Sequence, residues 1–207
     1  MTLTVGFDLD MTLIDSRPGI RATYLELSAR TGVRIDADLA VSRLGPPLEH
    51  ELAHWFPEEH VAEMAAAYRE IYPTRAIHPT RALPGAEGAI SAVRAAGGRS
   101  VVVTAKNGPH AELHLTHLGL EPDAVIGGLW AEAKAEALRA ESADVYVGDH
   151  LGDIRGARAA SALAVSVATG PYDEEALRAA GADVVLTDLT AFPSWWTAYT
   201  ASADALA

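Results

Sequence analysis

Leu3-Thr4-Val5-Gly6-Phe7-Asp8-Leu9-Asp10-Met11-Thr12 stands at the head of the chain, and the fold is read outward from it. Leu3 to Phe7 is a compact apolar run of the kind that forms a strand buried on both faces, and it ends in two carboxylates two residues apart. In parallel α/β sheets the carboxyl ends of the strands are where ligands bind, so Asp8 and Asp10 fall at the ligand end of the first strand. Two acids this close repel unless a cation sits between them or one keeps its proton. A hard, oxygen-seeking ion such as Mg²⁺ relieves that repulsion; a turn cap for one Asp and solvent for the other would relieve it without chemistry.

Five more runs share the character of the first: Ser100 to Thr104, Ala124 to Gly127, Val145 to Gly148, Ala164 to Val167 and Val184 to Leu186. Amphipathic stretches separate them, at Gly85 to Ala96, Pro109 to Leu118, Glu132 to Glu141, Leu151 to Ala160 and Asp173 to Ala180. Strand and helix in alternation imply an α/β fold, a mainly parallel sheet with helices on both faces. One region breaks the pattern. From Pro18 to Ala82 there is no convincing strand, only helical patterning around Ile20 to Arg30, Pro47 to Trp55 and Glu58 to Ile71. Proline and glycine flank it at Arg17-Pro18-Gly19 and again from His78-Pro79 to Pro84-Gly85, as hinges or linkers would. The division that follows is a core of residues 1–16 and 83–207 and a small α-helical cap of residues 17–82, inserted after the first strand. The tail from Ala191 to Leu206 is expected to be a last helix anchored by Trp195 and Trp196.

Composition narrows the chemistry. The 207 residues allow one large core with a small insert but not two full domains. Without cysteine there are no disulfides, thiolate metal sites or cysteine nucleophiles. Sixteen basic against 28 acidic residues give a net charge of −12, which repels nucleic acid and anionic lipid. No apolar run approaches the roughly 20 residues that span a bilayer, and the first ten residues do not read as a signal peptide, so the expected location is the cytoplasm. Nothing in the sequence specifies an oligomeric state. Lys106 and Lys134 are the only lysines among sixteen cations, as if an ammonium were required at those two places.

Three further features lie at later strand ends. Val101-Val102-Val103 ends in Thr104, Lys134 opens the helix after the third strand, and Val145-Tyr146-Val147-Gly148 delivers Asp149, with Asp153 four residues on. Taken singly these are a helix cap, a solvated charge and a turn. Taken together, in this order, they resemble the haloacid dehalogenase superfamily of aspartate-nucleophile phosphohydrolases over nearly the whole chain. Asp8-Leu9-Asp10-Met11-Thr12 is similar to that family's first motif, Thr104 to its second, Lys134 to its third and Gly148-Asp149-His150-Leu151-Gly152-Asp153 to its fourth. The insert sits where members with an α-helical cap carry theirs, and Leu83-Pro84-Gly85 resembles the return to the core of phosphoglycolate-phosphatase-like members. Met11 is a departure, since the family usually has glycine there and only a backbone N–H is expected to face phosphate.

The resemblance implies a Rossmann-like core and a Mg²⁺-dependent phosphatase acting on a small phosphomonoester, such as a phosphoglycolate-like acid or a sugar phosphate. Asp8 would be the nucleophile, forming an aspartyl-phosphate, and Asp10 the general acid and base. Asp8, the backbone carbonyl of Asp10, Asp149 and, in support, Asp153 would hold the metal. Thr104 with the neighbouring Ala105 loop and Lys134 would bind the phosphoryl oxygens, while Arg43, in the cap loop Arg43-Leu44-Gly45-Pro46-Pro47-Leu48, is a candidate for an anionic substrate tail. Lys106 lies close enough in sequence to reach the mouth of the site, although a surface position suits it equally; His150 could touch the pocket. A phosphomutase would use the same intermediate, passing the phosphoryl group to a sugar. A dehalogenase has no task for Asp10, and a non-enzymatic sensor none for the full set of charged groups.

A competing motif sits in the insert. His50-Glu51-Leu52-Ala53-His54 is a literal H-E-x-x-H, with His60 where a metzincin zinc protease would place a third ligand. That pattern requires glycine at the turn where this chain has Pro57, whose φ cannot become positive. A solvated amphipathic helix accounts for the motif, and a wet helix face accounts for His110, His114 and His117 at i, i+4 and i+7.

Overall fold

A computed structural model describes residues 2–204. Strand β1 (Thr4–Phe7) is followed by a two-residue strand, β2 (Ile14–Asp15), and four helices: α1 (Arg17–Thr31), α2 (Ala37–Ser42), α3 (Leu48–Leu52) and α4 (Glu58–Arg75). β3 (Arg81–Ala82) then pairs antiparallel with β2, closing the helical insert at its neck. Helix and strand alternate from there: α5 (Ala86–Ala95), β4 (Arg99–Val103), α6 (Gly108–Leu118), β5 (Ala124–Ile126), α7 (Lys134–Ala140), β6 (Val145–Gly148), α8 (Leu151–Ala160), β7 (Leu163–Val167), α9 (Glu174–Ala179), β8 (Val184–Leu186) and α10 (Phe192–Asp204).

Six strands form one parallel sheet in the order β5-β4-β1-β6-β7-β8. The chain winds outward from β1 through β4 to β5, then returns to β6 on the other side of β1 and winds outward again. The order therefore reverses beside β1, and the loops after β1, β4 and β6 diverge there to leave a crevice at the carboxyl ends of the strands. Period-2 alternation divides the strand side chains between two faces. Val5, Phe7, Val102, Val145 and Val147 pack on one side with α5, α6 and the indole of Trp196. Val101, Val103 and Tyr146 pack on the other with Leu138 and Ile154. Trp196 is buried and Trp195 half-buried, as anchors for α10 should be; Ala205 and Leu206, the end of the tail helix expected from sequence, lie outside the described residues.

The insert has an apolar cluster of its own, built on Tyr24, Leu27, Leu52, Tyr68, Ile71 and Tyr72. Two expectations for it are corrected. Arg81–Ala82 is a strand, too short and exposed to show any alternation. Helix α2 was also not expected; its six residues are started by Asp36, whose carboxylate accepts from the Leu39 N–H at 3.0 Å.

Candidate active site

The crevice brings together residues that are far apart in sequence. Asp8 follows β1, Thr104 follows β4 and Asp149 follows β6, each on the register of its strand end. Asp8, Asp149 and Asp153 are the only group of three or more potential metal-ligating side chains that gathers among the described residues, with one donor atom from each within 4.8 Å of the others. Lys134 lies directly behind them and is fully buried. Its Nζ is 2.9 Å from Oδ1 of Asp8 and 2.7 Å from Oδ1 of Asp153, and donates at 2.7 Å to the hydroxyl of Tyr146. That hydroxyl in turn donates to the Val103 carbonyl at 2.6 Å. All three ammonium protons are thus committed, and Lys134 aims at the acids rather than lining the cavity.

Three buried carboxylates share one ammonium, which pairs directly with two of them and leaves an excess of negative charge. Burial, with repulsion from Asp153 and Asp10, pushes the Asp8 carboxyl up to about 7 against the opposing pull of Lys134. Asp149 is driven well above the usual carboxylate range, first by burial and then by Asp153 and Asp8. An all-oxygen donor set with surplus negative charge fits a hard divalent cation such as Mg²⁺. The set is held from outside. Thr12 Oγ1 donates to Asp149 Oδ1 at 2.8 Å. Asp153 Oδ2 accepts from the His150 N–H at 3.0 Å while His150 Nδ1 accepts from Gly152, so the two side chains cap α8 reciprocally. Gly170 leaves room on the other side; a Cβ there would lie 1.9 Å from Asp149 Oδ2.

Asp10 turns away from this trio. Its Oδ1 accepts from the Ser16 hydroxyl and lies 3.0 Å from Nζ of Lys106. The side chain of Lys106 is only 7% exposed, so the surface alternative is excluded, and its Nζ donates to the hydroxyl of Tyr72 on α4 at 2.6 Å. Tyr72 stacks on His110 with ring centroids 4.5 Å apart, and its hydroxyl lies 2.9 Å from Nε2 of His114. The wet-face reading of the histidines is corrected accordingly: His110 and His114 are buried between α6 and the insert, and only His117 is exposed. Burial, reinforced by the Lys106 charge, holds His110 down to about 4 and His114 to about 3.

Met11 adopts a φ of 61°, the left-handed conformation that glycine accepts without cost. Its N–H donates to the Ile14 carbonyl at 2.8 Å, which corrects the expectation that this group faces the ligand. Above these residues, a cavity of about 510 Å³ opens between sheet and insert, and Asp8, Asp10, Thr104, Ala105, Lys106, Asp149 and His150 contribute to its wall. Thr104 is buried, its hydroxyl accepting from the Lys106 N–H at 3.2 Å. On the insert side Gly45, at a φ of 133°, lets the cap loop lie flush on the His150 ring, where a Cβ would come within 2.7 Å. Arg43 lines the cavity but is already held by both carboxylate oxygens of Glu51, at 2.9 and 2.6 Å. Glu51 also accepts from the Trp55 indole at 2.8 Å, so it is a half-buried anchor and not part of a solvated helix face. Helix α3 ends at Leu52, before His54.

Sequence reasoning left Lys106 outside the site and missed Thr12, Ser16 and Tyr72. Ser16 and Thr12 lie in the segment that leaves β1, a position that could have marked them; Tyr72 gave no local sign.

The comparisons with known proteins agree with this architecture. Among curated proteins, the chain is 32% identical over 169 residues to the tyrosine-protein kinase PtkA of Mycobacterium tuberculosis, a match covering 75% of this chain and 58% of that one. This chain thus spans under two thirds of the length of that relative. It is 28% identical over 212 residues to the phosphoglycolate phosphatase of Caulobacter vibrioides, covering 88% of this chain and 86% of the relative. Among solved structures, a predicted phosphatase from Clostridium acetobutylicum superposes with a TM-score of 0.82 at 22% identity, over 95% of this chain and 99% of that one, which speaks to the fold. A HAD-hydrolase-like family model matches residues 128–192. The model for haloacid dehalogenase-like hydrolases matches residues 5–158, from the first strand through the Asp153 helix, and the chain belongs to that family.

Proposed function

We propose that the chain is a Mg²⁺-dependent phosphomonoester phosphatase acting on a small phosphorylated metabolite through an aspartyl-phosphate on Asp8. The observation that carries this reading is the buried cluster of Asp8, Asp149, Asp153 and Lys134, of which Asp8 and Asp149 reach the cavity between sheet and insert. Asp8, Asp149 and Asp153, with the Asp10 backbone carbonyl, are the proposed metal ligands. The bound ion would supply charge compensation for the phosphoryl oxygens and the nucleophile.

Lys134 holds Oδ1 of Asp8, and Oδ2 is left to attack phosphorus in line; the ester oxygen departs as an O–P bond forms to Asp8. Asp10 gives its proton to the departing alkoxide, then takes one from the water that attacks the acyl phosphate. Lys106 and Ser16 hold the Asp10 carboxylate in place between the two steps. The Thr104 hydroxyl and the Ala105 loop receive the phosphoryl oxygens. The helical insert acts as a cap that excludes water and selects the leaving group. The phosphoglycolate phosphatases among the relatives put a short phosphorylated acid first on the list of substrates to try; Arg43 would then share its guanidinium between Glu51 and the substrate carboxylate.

Orthophosphate release from a panel of metabolite phosphates, with and without Mg²⁺ and alongside Asp8→Asn, tests the proposal. Mg²⁺-dependent release abolished by the substitution is expected. Release without added metal in the presence of a chelator, or an Asn variant at full rate, would overturn it.

A further inference from the structure

We infer that Tyr72, carried by the insert, is a positioning residue for the acid/base Asp10, acting through Lys106. Five contacts lead to this. The Lys106 ammonium is 3.0 Å from Asp10 Oδ1 and donates to the Tyr72 hydroxyl at 2.6 Å. The Tyr72 hydroxyl is 2.9 Å from His114 Nε2. The Tyr72 ring is fixed by the stack on His110 at 4.5 Å and by His114 at its edge, 5.6 Å away. Lys106, His110 and His114 belong to the loop after β4 and to α6, on the core side, whereas Tyr72 belongs to α4 of the insert.

The polarity of the chain follows from the inventory of donors. A protonated lysine can only donate, so the Tyr72 oxygen accepts from Lys106 and its own proton goes to His114 Nε2. His114 then carries its proton on Nδ1, which is buried with no partner. The imidazole stays half-satisfied, and its paired nitrogen holds the Tyr72 hydroxyl with its proton toward His114 and its oxygen toward Lys106. Asp10, Lys106, Tyr72 and His114 form one chain of hydrogen bonds in which Lys106 donates both to Asp10 and to Tyr72 and Tyr72 donates to His114, and it is complete only while α4 rests against α6. With the insert lifted, Lys106 has a four-carbon tether and one remaining anchor, Asp10. Closure of the insert therefore sets the position of the ammonium that faces the acid/base.

The composition of the chain provides an assay that does not depend on turnover. There are only two lysines, so ¹⁵N-lysine labelling gives two ammonium signals, Lys106 and Lys134, whose side chains are 7% and 1% exposed. Tyr72→Phe keeps the ring, its stack and its burial, and removes the hydroxyl alone. The Lys106 signal is expected to shift or to vanish through exchange with water while the Lys134 signal stays. An unmoved Lys106 signal would overturn the inference.

The kinetic arm rests on the phosphatase reading. Tyr72→Phe is expected to lower kcat about 10-fold with KM within about twofold, and to add no further loss in a Lys106→Met background. Losses that multiply in the double variant, or a fall in Tm with kcat unchanged, mark a hydroxyl that only satisfies His114 and would also overturn it. If the wild-type protein hydrolyses no phosphomonoester, the phosphatase reading fails and the ammonium spectrum alone decides the positioning role.

Discussion

Lys134→Met isolates the electrostatics of the site. The substitution keeps an unbranched side chain of similar length and removes the charge. It leaves Asp8 and Asp153 buried with no cation, and strips the Tyr146 hydroxyl of its donor, though not of its bond to Val103. Breaking a buried pair by deleting one partner costs about 3–5 kcal/mol, because the remaining charge is stranded. Here one ammonium serves two carboxylates, so a loss at the upper end of that range, about 5 kcal/mol, is expected in chelator at pH 8. Acid relieves the strain: Asp8 already holds its proton up to about pH 7 in the wild-type protein, and more so once Lys134 is gone. The deficit must therefore shrink as pH falls toward 5. Urea unfolding of both proteins in chelator at pH 5 and pH 8, compared through their midpoints at constant slope, measures it. A deficit below about 1 kcal/mol at pH 8, or one that is larger at pH 5, would refute the argument that Lys134 compensates the acids.

The remaining expectations concern the metal and the backbone. Asp8 binds a proton more tightly folded than unfolded, so its contribution to metal-free stability is present below about pH 4 and is lost as pH rises through about 7. The Mg²⁺-induced rise in Tm should accordingly be larger at pH 8 than at pH 5, and an equal or reversed dependence in a thermal melt speaks against the trio as the metal site. Gly170→Ala drives a methyl onto Asp149 Oδ2; titration calorimetry should show weaker Mg²⁺ binding, at least about 10-fold, where an unchanged affinity would mean that Asp149 can move aside. At Met11, alanine keeps the left-handed strain of about 1–2 kcal/mol while glycine releases it and loses about 0.5–1 kcal/mol to chain entropy. Met11→Gly should thus match or exceed Met11→Ala in stability, although both lose a buried side chain; a glycine variant weaker by 1 kcal/mol or more contradicts that ordering.

The parts of the fold that could be read directly are those whose signal is local. A strand buried on both faces must be largely apolar, which is why β1, β4, β6 and β7 stand out with boundaries within a residue or so of those observed. Arg81–Ala82 has no such constraint, being two exposed residues paired with Ile14 and Asp15 across the whole insert. The acids were legible because strand ends in parallel sheets converge whatever the side chains do. Lys106, Tyr72 and Thr12 were not, since their partners lie 34 to 137 residues away and their own neighbourhoods are ordinary. His110 and His114 mislead for a related reason: a polar residue at helical spacing reads as a wet face until another helix is laid over it.

Lys134 is fully buried and Lys106 is turned into the cavity with 7% of its side chain exposed, so the outer surface of the described residues displays almost no ε-amine and owes its fixed positive charge to guanidinium. Reagents that acylate amines, and the enzymes that acetylate lysine or attach ubiquitin to it, should find this folded surface almost blank. Modification of Lys106 and Lys134 at full stoichiometry thus becomes a gauge of unfolding.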